Sequence, residues 1–176
     1  EIINIENSGV SSARNTGIDV SDATYVCFLD ADDELSEFYL EEIIFLITTY
    51  EEKKYKIFST KHKNIFNNED LQKISIRKKN HYTNSNNSLF YYALDKTILC
   101  SSGICIDRKI LKEYRFPKNI SLGEDIYLWE KLLLKYPLVW SKNELVNVYK
   151  NSENRSQNTL FHVPYYLKRF DEIFET

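Results

Sequence analysis

The sequence predicts an α/β fold, and three observations carry that reading. Residues 23–29 (ATYVCFL) form an unbroken apolar, β-branched and aromatic run of strand length, as expected for a central strand covered on both faces. The run stops abruptly in acid, at Asp30-Ala31-Asp32-Asp33. Beyond it Leu35, Phe38, Tyr39, Ile43, Leu46 and Ile47 recur at helical spacing, so a helix should leave the acidic turn. Strand, acidic turn and helix in succession is an α/β signature.

The other elements follow from the same signals. Residues 1–6 (EIINIE) read as a short apolar strand, Asn7-Ser8-Gly9 as a turn, and Ser11 or Ser12 as the cap of a short helix through Ile18. Residues 53–87 hold a short strand (YKIFST) among Asn- and Lys-rich segments, where loops and edge strands are expected. Residues 98–106 (ILCSSGICI) read as a strand with Gly103 inside it, and Asp107 caps a helix reaching about Tyr114. Gly123-Glu124-Asp125 opens an amphipathic helix (Ile126, Leu128, Trp129, Leu132, Leu133) that stops before Pro137. Strands over 138–141 and 145–149 come next. A turn-like stretch over 151–158 then precedes a final helix striped with Phe161, Tyr165, Leu167, Phe170, Ile173 and Phe174. No internal repeat divides the chain, so 1–176 reads as a single domain.

Bulk properties narrow the function. The 176 residues suffice for one domain with a core, and 43% hydrophobic content with 28% charge describes a globular chain. The net charge of -3 disfavours a nucleic-acid partner. Cys27, Cys100 and Cys105 are odd in number, lie in apolar runs and lack CxxC spacing, which argues against a disulfide framework or a zinc site and fits a reducing cytosol. No stretch approaches the roughly 20 apolar residues of a membrane helix, so any membrane contact is expected to be peripheral, at the inner face. Arg77-Lys78-Lys79 and the aromatic final helix have the composition for such contact, though solvated surface and core packing explain them more simply. The chain opens with Glu1 and contains no methionine, so an upstream part is expected to be missing.

At the acidic turn, Asp30 and Asp32 sit one residue apart at the carboxyl end of a buried strand, where ligands of open α/β sheets bind. Magnesium or manganese suits such oxygen ligands and keeps positions for a diphosphate. The same acids could instead complement the dipole of the following helix, at about 0.3–1 kcal/mol each. Rival motifs fit less well. A calcium loop counted from Asp30 needs glycine at its sixth position, where Leu35 stands. A dehalogenase-like phosphatase needs Thr or Val where Glu34 stands, and no GxxxxGK[ST] exists.

The blocks NSGVSSARNTGI and YVCFLDADDELSEFYLE together resemble the family 2 glycosyltransferases of the GT-A fold, which carry N-x-G-x-S-x-ARN-x-G ahead of FLD-x-DD. The resemblance continues at LCSSGICIDRKIL and GEDIYLWEKLLLKYP, and leaves 53–87 unmatched. It implies a Rossmann-like, mixed but mainly parallel sheet flanked by helices. Asp30 would contact the ribose or the metal-diphosphate, Asp32 would be the chief ligand of Mn2+ or Mg2+, and Arg14 would approach the nucleotide. Asn15 and Gly17 belong to the same block, where Asn15 would be a cofactor contact; turn and helix chemistry is the plainer role of both. Glu124-Asp125 matches the family's catalytic pair, with Asp125 the general base, and Ser101, Ser102 and Gly103 match the floor of a sugar pocket. Asp33 would be a helix-start acid. Where many relatives read Tyr-Arg-x-His, this chain reads Tyr149-Lys150-Asn151-Ser152, which leaves the third ligand open between His162 and none.

The implied activity is inverting transfer of a sugar from a UDP-sugar to a saccharide or lipid-linked acceptor in bacterial surface-polysaccharide synthesis. Two alternatives stay open: phosphoryl chemistry with Asp30 as nucleophile, and a non-catalytic sugar-binding or interaction module. Family members begin with a further strand, helix and strand that hold the nucleotide base. The resemblance starts about one βαβ unit late, so weak stability and little transfer by this chain alone are expected.

Overall fold

A computed structural model of the chain describes residues 2–50, 54–66, 81–84, 87–120 and 122–150. Helix α1 (Val10–Val20) starts two or three residues earlier than the serines suggest, because Gly9 takes a left-handed φ of 84° and opens the helix with no side-chain cap. Strand β1 (Tyr25–Cys27) precedes the acidic turn, β2 (Asp33–Leu35) follows it, and α2 (Tyr39–Tyr50) comes only after that. Next are β3 (Ile57–Ile65), β4 (His81–Asn84), α3 (Ser88–Leu94), β5 (Ile104–Asp107), α4 (Arg108–Glu113), α5 (Glu124–Leu133) and β6 (Leu138–Tyr149). Short 3-10 turns at Lys96–Ile98 and Ser101–Gly103 lead into β5.

The strands form one sheet in the order β1-β5-β3-β6-β2, with β4 also on β6. The mixed α/β architecture is as expected, but the pairing is not mainly parallel. Only β3 and β6 run parallel among the described strands, while β1–β5, β3–β5, β2–β6 and β4–β6 are antiparallel.

The sheet is covered on both faces by the alternation of its side chains. Ile57, Ile104, Ile106, Leu138 and Trp140 join a cluster with Ile18, Leu111, Leu128, Trp129 and Leu132, so α1, α4 and α5 cover that face. Phe58, Cys105, Val139 and Val146 point the other way, against Tyr39, Ile43 and Leu46 of α2. Burying one such aliphatic or aromatic side chain contributes about 1.5–3 kcal/mol.

Several expectations are corrected. Residues 2–6 form no strand and Ile2 is 89% exposed, because no described strand offers them a ladder. The run 23–29 contributes only three strand residues, at the sheet margin and not its centre. The run 98–106 is a strand only from Ile104, since its first part turns twice. The two strands foreseen over 138–149 are one. Its irregular register against β3 around Lys61 absorbs Lys142 and Asn143 without breaking it. The strand at YKIFST is longer than its apolar letters suggest and lies inside the sheet. Helices α4, capped by the Asp107 carboxylate accepting from Lys109 N–H at 2.9 Å, and α5 stand where the sequence puts them. His162, the turn over 151–158 and the final helix lie outside the described residues.

Candidate active site

The site is built on an aromatic platform. Phe28, just past β1, packs edge-on against Phe116 at 5.3 Å and at a tilt against Trp129 of α5 at 6.3 Å. Phe116 and Trp129 are themselves 5.5 Å apart. Trp129 is thus a core residue, as its spacing implies, and the trio ties the end of β1 to the middle of α5. Asn15 locks the same corner: its amide donates to the Phe116 carbonyl at 2.8 Å and accepts from the Phe116 N–H at 3.1 Å. The sequence singles out Asn15 as a cofactor contact. The fold commits both ends of its buried amide to backbone, which is the plainer structural role.

Arg14 rides on this platform, its guanidinium 5.2 Å from the centre of the Phe116 ring. One side of the fork donates to Asp30 Oδ1 at 2.6 Å and the other to Glu124 Oε1 at 2.9 Å. The Arg14 and Glu124 side chains are 10% and 11% exposed, that of Asp30 34%. Burial opposes the arginine's charge, but Asp30, Glu124 and Asp125 outweigh it and raise its pKa. For Glu124, burial and the neighbouring Asp125 raise the carboxyl above its usual range despite the arginine.

The turn at Ser101–Gly103 completes the connection. Ser102 Oγ accepts from Asp30 N–H at 3.0 Å and donates to Asp33 Oδ2 at 2.7 Å. Ser101 Oγ donates to Asp125 Oδ2 at 2.9 Å, and Ile126 N–H holds the other oxygen of Asp125 at 2.7 Å. Gly103 forms the packed underside of this turn. A Cβ there would stand 3.1 Å from Cys100 Sγ and 3.2 Å from the Thr60 carbonyl oxygen, closer than side chains normally pack. Ser101, Ser102, Asp30 and Asp125, read from widely separated blocks, therefore meet in one place. Asp32 lies half-buried on the same turn.

Asp33 is not the first acid of a helix. Residues 33–35 pair with β6 (Asp33↔Val148, Leu35↔Val146), and Ser36 N–H continues the ladder to the Leu145 carbonyl at 2.9 Å. The sequence shows the acids but not the distant strand edge that captures them. Phe116 was likewise missed: nothing in its local pattern separates it from any other loop aromatic.

A cavity of about 600 Å3 opens beside this network, lined by Arg14, Gly17, Tyr25, Cys27, Asp30 and Ala31 among others. That volume lies within the range of about 300–1,000 Å3 typical of small-molecule sites. Gly17 leaves its wall open, since an added Cβ would meet nothing within 4 Å. A second cavity, of about 180 Å3, lies between Lys61, Asp95, Tyr91 and Trp140. Among the described residues no group of three His, Cys, Asp or Glu side chains is placed to hold a metal ion. Two carboxylates on one turn suit magnesium or manganese when substrate oxygens supply the remaining positions.

Residues 1–115 match the family model for glycosyl transferase family 2. The chain belongs to that family. An uncharacterised glycosyltransferase of Rickettsia felis is 28% identical over 149 residues, covering 81% of this chain and 22% of the relative. The glycosyltransferase GlyA of Streptococcus pneumoniae is 41% identical over 46 residues, 26% of this chain and 7% of its own length. The chain thus spans about a fifth of the Rickettsia relative. In fold it is similar to S. aureus TarS 1–349 in complex with UDP-GlcNAc, with a TM-score of 0.70 and 14% identity over 97% of this chain and 47% of that one. GalNAc-T7 with UDP, GalNAc and Mn2+ aligns with a TM-score of 0.52 at 14% identity, over 97% of this chain and 36% of that one. The GT-A architecture expected from the paired blocks is therefore the one observed.

Proposed function

We propose that this chain carries the catalytic centre of an inverting glycosyltransferase. It would move a sugar from a UDP-sugar to a saccharide or lipid-linked acceptor in bacterial surface-polysaccharide synthesis, at the cytoplasmic side of the membrane. The observation that carries the reading is the Arg14 bridge between Asp30 and Glu124. It brings the acidic turn and the Glu124-Asp125 pair together, as required when a donor and a proton acceptor must meet across one anomeric carbon. UDP-GlcNAc in the TarS complex, and UDP with Mn2+ in GalNAc-T7, support the choice of donor and cation.

In this reading Asp30 and Asp32 would hold Mn2+ or Mg2+, which would offset the charge of the departing nucleoside diphosphate. Arg14 orients Asp30 and adds positive charge near the diphosphate. Asp125, held by the Ser101 hydroxyl and the Ile126 N–H, takes the proton of the acceptor hydroxyl as that oxygen attacks the anomeric carbon. The bond from that carbon to the diphosphate oxygen breaks on the opposite face, which inverts the configuration. Asp30 is a poor nucleophile in the grip of Arg14, so phosphoryl transfer through it is disfavoured.

The test, made on the full-length protein that carries this chain, is release of nucleoside diphosphate from a panel of UDP-, GDP- and dTDP-sugars with Mn2+. UDP-sugars should be cleaved preferentially, and Asp125→Asn should lower the rate by about 10²–10⁴-fold, as for loss of a general base. Equal rates for Asp125→Asn and the parent, or preference for another nucleotide, would overturn the assignment.

A further inference from the structure

We propose that Cys27 and Cys105 form a dithiol modification site, oxidised reversibly to a cross-strand disulfide by low-molecular-weight disulfides of the glutathione type. The argument needs nothing from the transfer chemistry. It starts from the register of β1 on β5, which places Cys27 directly opposite Cys105. The Arg108 N–H donates to the Thr24 carbonyl at 2.9 Å, which marks 24 and 108 as a hydrogen-bonded pair. Pairs alternate along an antiparallel ladder, so 27 and 105 fall on a non-hydrogen-bonded pair. There the Cα atoms stand about 4.5 Å apart and the side chains are closest. A disulfide asks for Cα separations of about 4.4–6.8 Å, so the two sulfurs can join with little movement of either strand.

The two thiols differ in the way a stepwise exchange requires. Cys27 is exposed and lines the large cavity, whereas Cys105 is 1% exposed. Cys27 faces Cys105 across the ladder, and this neighbour holds the Cys27 thiol below its usual pKa against the effect of burial. The same contact, with burial, pushes Cys105 up. Cys27 is therefore the attacking sulfur. Its thiolate attacks one sulfur of oxidised glutathione, forming a mixed disulfide and releasing one glutathione. Cys105 then loses its proton and attacks the Cys27 sulfur, expelling the second glutathione. Two electrons pass to the oxidant, and the two protein protons leave with the two thiols. The third thiol, Cys100, is only partly accessible, and burial with the nearby Asp33 pushes it up to about 12, so it serves as an internal control. Cytosolic disulfides are usually transient and redox-sensing, so a reversible bond of this kind is compatible with a reducing compartment. It would lie three residues before Asp30 and staple the marginal strand to its neighbour.

The experiment treats the reduced full chain with oxidised glutathione, alkylates the remaining thiols with iodoacetamide in denaturant, and maps the peptides by mass spectrometry. The expected product is a Cys27–Cys105 linked peptide with Cys100 alkylated, reversed by dithiothreitol. Cys105→Ser should instead stop at glutathione on Cys27. Three alkylated cysteines, a linkage to Cys100, or stable glutathione on Cys27 of the parent chain would each overturn the proposal. The parent chain alone decides it, should the variant not fold.

Discussion

The centre of the sheet and its β1 margin are built on opposite plans. At the centre β3 and β6 run together over most of their length, and Phe58, Ile57, Leu138 and Val139 are almost fully buried between two helical layers. At the margin β1 has three residues and pairs only with β5 among the described strands, yet it delivers Asp30. Stability sits in backbone ladders that carry no chemistry. The residues proposed for the chemistry sit where few ladder bonds reach, held instead by Arg14, Ser102 and Asn15.

That contrast can be broken first at the centre. Phe58→Ala should cost about 3–5 kcal/mol, as for other buried aromatic truncations, read as a fall in the urea midpoint. A loss below about 1 kcal/mol would mean that the centre does not dominate stability.

The next effect is of pH. His62 lies on β3, and burial and the nearby Lys150 lower its pKa from 6.5 to about 4. Its folded-state pKa is depressed, so the imidazole is neutral in the fold and charges more readily when the chain unfolds. Its contribution is complete above about pH 6.5 and is lost as pH falls towards 4, by up to about 3 kcal/mol. Urea midpoints at stepped pH, for the parent chain and His62→Gln, check this: the variant should lose much of the acid dependence in that window.

At the margin, Asn15→Ala removes both bonds to Phe116 and leaves buried backbone groups unpaired, at about 1–3 kcal/mol. Hydrogen exchange should quicken most around Phe116 and in α1, and less in β3 and β6. Uniform acceleration across the sheet would erase the distinction between the two regions.

How much of this was legible follows from where each signal lives. Helix α5 and the Asp107 cap are local, written in spacing and capping residues, and they stand where the sequence puts them. The acidic turn was found because its two blocks together are specific. Strand β2 was not, because DEL becomes a strand only through the edge of β6, over a hundred residues away. The 3-10 turn at Ser101–Gly103 hid inside an apolar run whose composition suits a strand equally well. Asn15 read as a ligand contact because a motif records that a residue is needed, not whether its partner is a nucleotide or a backbone carbonyl. The partnership of Arg14 with Glu124 spans 110 positions, and no local pattern reports it.

The joining of the acidic turn to the Glu124-Asp125 helix through Arg14 is the centre of the account, and a double-mutant cycle tests it most directly. Urea stabilities would be compared for the parent chain, Arg14→Met, Glu124→Gln and the double variant. A buried, charge-assisted pair predicts a coupling energy above about 1 kcal/mol. Additivity within about 0.3–0.5 kcal/mol, the behaviour of independent sites, would contradict it.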